Sequence, residues 1–204
     1  MDNNAEPPGQ IRLAAGEPAR KRRADRLRNH ELLLAAAKAA FAELGPEVSL
    51  EDIARRAEVG IGTLYRHFPT RGAIIAAVYR REVEQLAESA ERLLETMPPA
   101  EALHAWMRLF VDYISTKKVI AAALSAIGGG ADLYAISGAR ISDAMAQLLT
   151  RARASGAVKS DVDPNDLLRA LLGFTYGNNS PGWQASALRL IDILMDGLRP
   201  SRAD

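Results

Sequence analysis

The chain has no cysteine. That excludes disulfides, thiolate metal sites, iron–sulfur clusters and a cysteine nucleophile. Histidine is scarce as well: only His30, His67 and His104 are present, too few for a histidine-rich metal centre. No apolar run is long enough to span a membrane, and no apolar stretch follows a basic start at the N-terminus, so a secretory signal is not expected. The expected location is cytoplasmic, with no membrane partner. Alternating β-branched and aromatic runs are absent, which argues against strands. The sequence holds no phosphate loop, no Glu-x-x-His and no nucleophile–base pair. A Gly-x-Gly occurs at Gly60-Ile61-Gly62, but with no strand before it this is not a dinucleotide fingerprint. Catalytic residues, metal and cofactor are therefore expected to be absent, and the chain reads as something other than an enzyme.

What is present is a chain of 204 residues, 48% hydrophobic and 25% charged, ordinary for a globular protein. It is rich in Ala and Leu, both strong helix formers. The net charge of +1 conceals an uneven distribution. Arg20, Lys21, Arg22, Arg23, Arg26 and Arg28 stand together, opposed only by Asp25. Such a block serves either as a nucleic-acid arm or as a solvated leader or charged first turn. Residues 1–20, with Pro7-Pro8-Gly9 and no apolar periodicity, read as a disordered leader, and Arg20 to Arg23 have no evident scaffold.

Punctuation divides the remainder into about nine helices, an all-α chain. The first runs over about 25–44, with Leu33, Ala37, Ala40, Phe41 and Leu44 on one face, and Gly45-Pro46 ends it. Ser49 caps a short helix, 50–57, with an acidic residue three places on. Glu58-Val59-Gly60 is a turn, and a second short helix covers 61–68. After Pro69, Thr70 caps a long helix over 71–97. Beyond Pro98-Pro99 helices are expected at 100–115, 118–127 and 133–155, then at 164–177 behind the Asp163-Pro164 cap, and at 183–198.

Two short helices joined by a tight turn, with a third helix before them, make a helix-turn-helix. Gly60 and Gly62 leave the start of the second short helix open, so that backbone N–H groups can face a phosphate or base edge. Thr63, Tyr65 and Arg66 offer donors, and Tyr65 and His67 are placed to reach phosphate oxygens. Arg71, just beyond, can pair with the next phosphate. Leu64 and Phe68 point the other way, toward the core.

Residues 50–78 resemble the DNA-binding signature of the TetR family of transcriptional regulators. The resemblance is carried by Ile53-Ala54, Val59, Thr63-Leu64-Tyr65, His67-Phe68 and Arg71, with Ala35-Ala36 and Phe41…Gly45 upstream. It covers about a quarter of the chain. It implies that Ile61, Gly62 and Thr63 face the bases, where their few donors shift specificity toward thymine methyls, Arg66 and DNA shape. One position departs: the family usually has Gly where this chain has Glu58, at a turn that needs positive φ.

The domain expectation is a leader at 1–20, the DNA-binding domain at 21–71, and an effector-binding and dimerisation domain at 72–204. Trp106, Phe110 and Tyr113 share a helix face, and Tyr134 and Phe174 lie on later helices. An aromatic stripe at this spacing is an ordinary core feature; the resemblance implies that some of these residues line a cavity for a small-molecule effector. The last two helices are apolar nearly all round, which requires burial. Leu168, Leu171, Leu172, Ile191, Leu194 and Met195 are accordingly assigned to a two-fold interface, as in the family's dimer. The implied partners are a double-stranded DNA operator, a small effector and a second copy of the chain. The implied activity is a repressor on a pseudo-palindromic operator, released by the effector. The competing readings are a helical-bundle enzyme and a small-molecule-binding bundle without DNA binding.

Overall fold

The computed structural model describes residues 17–126, 130–159, 161–177 and 181–200. These residues form helices and no strands. In chain order they are α1 (Glu17–Leu44), α2 (Leu50–Arg56), α3 (Ile61–His67), α4 (Arg71–Thr96), α5 (Pro99–Ser125), α6 (Gly130–Ala154), α7 (Pro164–Tyr176) and α8 (Trp183–Leu198).

The expected caps are in place. Gly45 takes φ 83° and its N–H bonds Phe41 O at 2.9 Å, closing α1. Ser49 Oγ accepts from Asp52 N at 3.0 Å, Thr70 Oγ1 from Ala73 N at 3.1 Å, and the Asp163 carboxylate from Asn165 N at 2.7 Å. Each satisfies a backbone donor that the first turn leaves open.

Two boundaries differ from expectation. The helices expected at 100–115 and 118–127 are one, α5, so the described residues hold eight helices. The polar Ser115-Thr116 step does not break it, because a threonine can return its hydroxyl to the preceding turn; Thr116 Oγ1 lies 3.4 Å from Asp112 O. The first helix begins at Glu17, well before residue 25. The basic block therefore rides on a helix, since Arg, Lys and Ala sustain one by propensity without a buried face. Most of the expected leader lies outside the described residues, as does Asn178-Asn179-Ser180, between the last two expected helices.

A single apolar core runs through the molecule. At one end α1, α2 and α3 bury Leu33, Phe41, Ile53, Leu64 and Phe68. At the other, α4, α5 and α6 pack together, α8 lies against α5, and α7 lies against α6 and α8. The helix α4 belongs to both ends. It touches α1 through two ion pairs, Lys38–Glu82 at 2.6 Å and Glu31–Arg81 at 3.0 Å. His104 on α5 ties α8 through Asp192 at 2.7 Å.

Candidate nucleic-acid interface and internal cavity

The turn between α2 and α3 has the conformation the sequence demanded. Glu58 stands at φ 54°, and its neighbours close the turn with Glu58 N–H to Arg55 O at 3.1 Å and Val59 N–H to Ala54 O at 3.0 Å. The left-handed conformation costs a residue with a Cβ about 1–2 kcal/mol. Among the described residues Glu58 is the one non-glycine that adopts it.

The turn aims α3 outward. Leu64 and Phe68 are buried, whereas Gly60, Gly62, Tyr65 and Arg66 are exposed, as is Ile61. Gly60 provides no side-chain cap, and a Cβ at Gly60 or Gly62 would meet nothing within 4 Å. The open approach expected at this terminus is therefore real. Arg66 lies back along the helix, its Nε donating to Gly62 O at 3.0 Å and its Nη2 to Thr63 Oγ1 at 3.2 Å.

Alongside α3 runs the basic stretch of α1. Arg22, Asp25, Arg26 and Asn29 form one wall of a shallow groove whose other wall is Thr63, Arg66 and His67. Arg22 and Arg26 are four residues apart and so share a helix face. The sequence leaves Arg20 to Arg23 without a scaffold; the helical start at Glu17 carries the basic stretch to the side of α3. His67 is half-buried against His30 and Phe68, with ring centroids 5.7 Å and 6.1 Å away. Burial, the neighbouring His30, Arg26 and Arg66 hold its pKa below the usual histidine value.

Arg71 is engaged within the chain itself. Its Nη1 donates to Pro46 O and Val48 O, both at 2.7 Å. The half-buried guanidinium ties the start of α4 to the α1–α2 connection, satisfying two carbonyls of a segment outside any helix. In this DNA-free structure it braces the head through Nη1.

In the larger part of the molecule a cavity of about 480 Å3 opens between α4, α5, α6 and α7. Phe110, Tyr113 and Tyr134 line it, as expected. Two expected residues do not. Trp106 is fully buried away from it, its indole N–H donating to Leu86 O at 2.8 Å, and Phe174 packs against the core instead. Among the lining residues that the sequence does not single out are Tyr79, which reads as one more core position of α4, and Lys117, which reads as a surface charge. Tyr79 Oη lies 3.2 Å from Tyr113 Oη, and the Tyr79 and Tyr134 rings meet edge to face at 5.6 Å. Lys117 Nζ sits 5.0 Å from the centroid of Tyr134 and 6.0 Å from that of Tyr113. Burial lowers the Lys117 pKa and raises those of Tyr113 and Tyr176.

The residues assigned to a two-fold interface divide into three groups. Leu171 and Ile191 are fully buried within their own chain, so they belong to the core and that assignment is corrected. Leu168 and Leu172 line the cavity, although Leu172 is also 40% exposed. Leu194 and Met195 are half-buried. The large apolar side chains that α7 and α8 leave exposed are Leu172, Tyr176 and Ile193, the last 66% exposed; Tyr176, like Leu172, also lines the cavity.

Comparison with known proteins bears on both parts. Residues 33–78 match the family model described as bacterial regulatory proteins, tetR family, and residues 98–200 match the model described as transcriptional regulator SbtR-like, C-terminal domain. The crystal structure of the TetR transcriptional regulator SCO0520 from Streptomyces coelicolor is similar with a TM-score of 0.78 and 45% identity, over 84% of this chain and 99% of that one. A TetR transcription regulatory protein from Mycobacterium vanbaalenii gives 0.74 and 32%, over 87% and 99%. The HTH-type transcriptional repressor Rv3405c of Mycobacterium tuberculosis is 38% identical over 72 residues, which are 35% of this chain and 36% of that protein. The match thus spans about a third of that curated relative. A reading helix held beside a basic helix, joined through α4 to a cavity-bearing bundle, agrees with these likenesses: the chain belongs to the TetR family of DNA-binding transcriptional regulators.

Proposed function

We propose that the chain is a homodimeric repressor that binds a pseudo-palindromic operator through α3 and the basic face of α1, and is released by a small molecule entering the cavity. The observation that carries this reading is the course of α4. It begins at Arg71, braced against the head, and eight residues later presents Tyr79 to the cavity. At 1.5 Å per residue that is about 12 Å along one rigid element.

In this reading Gly60, Ile61, Gly62 and Thr63 approach base edges, while Tyr65, Arg66 and His67 grip phosphates together with Arg22 and Arg26. Each head enters a major groove, and the two heads of a dimer stand about one helical turn of DNA apart. A ligand that widens the space between α4 and α6 favours a state with a different head separation. It lowers operator affinity only by the difference in its own affinity for the two states. Lys38–Glu82 and Glu31–Arg81 transmit the shift, because they fix α1 to α4.

The dimer surface that suits this reading is the outer face of α7 and α8, built around Leu172, Tyr176 and Ile193 with the edges of Leu194 and Met195. Large apolar side chains left exposed on two adjoining helices are what a partner's helices would cover.

Selection of bound duplexes from random DNA tests the proposal. An inverted repeat with half-sites about one turn apart is expected. Recovery of no preferred sequence contradicts it.

A further inference from the structure

The cavity has a chemical asymmetry that defines what it can hold. Its wall is apolar over Phe110, Ile114 and Ile141, and among the described residues no carboxylate lines it. Among the described residues the one charged group in the wall is the half-buried Lys117. No hydrogen bond or ion pair engages that ammonium among the described residues; it rests only against the faces of Tyr134 and Tyr113. A cation withdrawn from water without a counter-charge is unfavourable, and ring faces compensate only in part. Beside it lie the paired hydroxyls of Tyr79 and Tyr113, 3.2 Å apart. Within such a pair one hydroxyl donates to the other, and the acceptor's own hydrogen is left to be offered elsewhere. The polar end of the cavity therefore presents an excess of donors and a positive charge.

We infer that the effector is an apolar molecule bearing a single anionic group, which Lys117 Nζ and the Tyr79–Tyr113 hydroxyl pair receive while Phe110, Ile114 and Ile141 enclose the body. The inference rests on the reading of this cavity as the effector site. Desolvation already lowers the Lys117 pKa, and an anion beside it restores the charged form. A neutral ligand of the same shape leaves the ammonium without its counter-charge, and a cationic one is repelled by it.

Two fluorescent probes that share one aromatic body provide the test: 1-anilinonaphthalene-8-sulfonate, which carries an anion, and N-phenyl-1-naphthylamine, which does not. Both are titrated into the full-length protein and three variants, each first shown to melt as a folded protein. Lys117→Met should weaken the sulfonate about tenfold, the size of a lost charge-assisted hydrogen bond, and leave the neutral probe within about twofold. Lys117→Arg keeps the charge and should retain the preference for the anion. Gly138 lines the cavity, and a Cβ there meets nothing within 4 Å, so Gly138→Trp should fill the space and exclude both probes. If Gly138→Trp excludes them but Lys117→Met affects both alike, or neither, the cavity reading stands and the anion inference is overturned. If Gly138→Trp leaves both bound, or neither probe binds the wild type saturably, the cavity reading itself fails and the inference with it.

Discussion

Lys38 Nζ on α1 lies 2.6 Å from Glu82 Oε2 on α4, so a lysine of the helix-turn-helix end neutralises a carboxylate that is only 7% exposed. The pair sits where head and bundle meet, beside the second bridge from Glu31 to Arg81. Lys38→Met leaves the buried carboxylate without its cation and should cost about 1–3 kcal/mol. For a chain of this size that lowers Tm by about 2–4 °C for each kcal/mol. Removing both partners, as Lys38→Met with Glu82→Leu, should recover part of the loss, because the unpaired charge is then gone. Thermal melts of the two single variants and the double variant form the cycle; strictly additive losses would show that the pair is not coupled.

Glu58→Gly relieves a left-handed residue whose side chain is exposed and so gives up no packing. The gain of about 1–2 kcal/mol from relieved strain is reduced by the extra freedom glycine brings to the unfolded chain. A net stabilisation of about 0.5–1 kcal/mol is expected in denaturant melts. A destabilised variant would show that the Glu58 side chain makes a contact worth more than the strain.

Arg71→Ala should act on the fold rather than on phosphate. Two carbonyls lose a charged donor, which is expected to cost about 1–3 kcal/mol. The slope of log affinity against log salt should change by less than about one unit. A fall of about two units would restore the phosphate contact that the sequence pattern suggested.

The pH dependence follows from His67, whose pKa is depressed in the free protein. A phosphate beside the ring favours the protonated form, so DNA binding takes up a proton. Affinity is highest below the depressed free-state pKa and declines as pH rises through the higher bound-state value. The free protein behaves in the opposite sense: between its depressed pKa and about 6.5 the unfolded chain binds more protons, so stability falls as pH drops through that window. His67→Gln should flatten both profiles. An unaltered affinity profile in that variant removes His67 from the interface.

Replacing Ile193 with Glu should give a folded monomer, because the side chain is exposed in the single chain and becomes an uncompensated carboxylate only where a partner covers it. Replacing Ile191, which is fully buried, should unfold the bundle instead. Light scattering and circular dichroism together separate the two outcomes. An Ile193→Glu variant that remains dimeric places the interface on another face.

Much of this architecture is legible in the amino-acid order, for reasons that are local. Gly45, Ser49, Thr70 and Asp163 mark helix ends because backbone conformation and cap chemistry act over a few residues. The reading helix is legible because Leu64 and Phe68 alternate with exposed polar positions. The start of α1 is not, since it depends on propensity without an apolar face. Nor is the sorting of Ile191 from Ile193: apolar residues all round a helix require burial but do not say whether the same chain provides it. Tyr79 and Lys117 are illegible for a related reason. One resembles core and the other resembles surface until α6 and α7 close around them.

In the proposed complex α1 and α3 grip DNA as one surface. A salt titration of operator affinity, comparing the wild type with the Arg22→Ala, Arg26→Ala double variant, tests it most directly. Each phosphate contact contributes about −0.9 to the slope, so losing two contacts in each half of a dimer should reduce its magnitude by about 3–4 units. An unchanged slope would place the basic face of α1 off the DNA and exclude a shared grip.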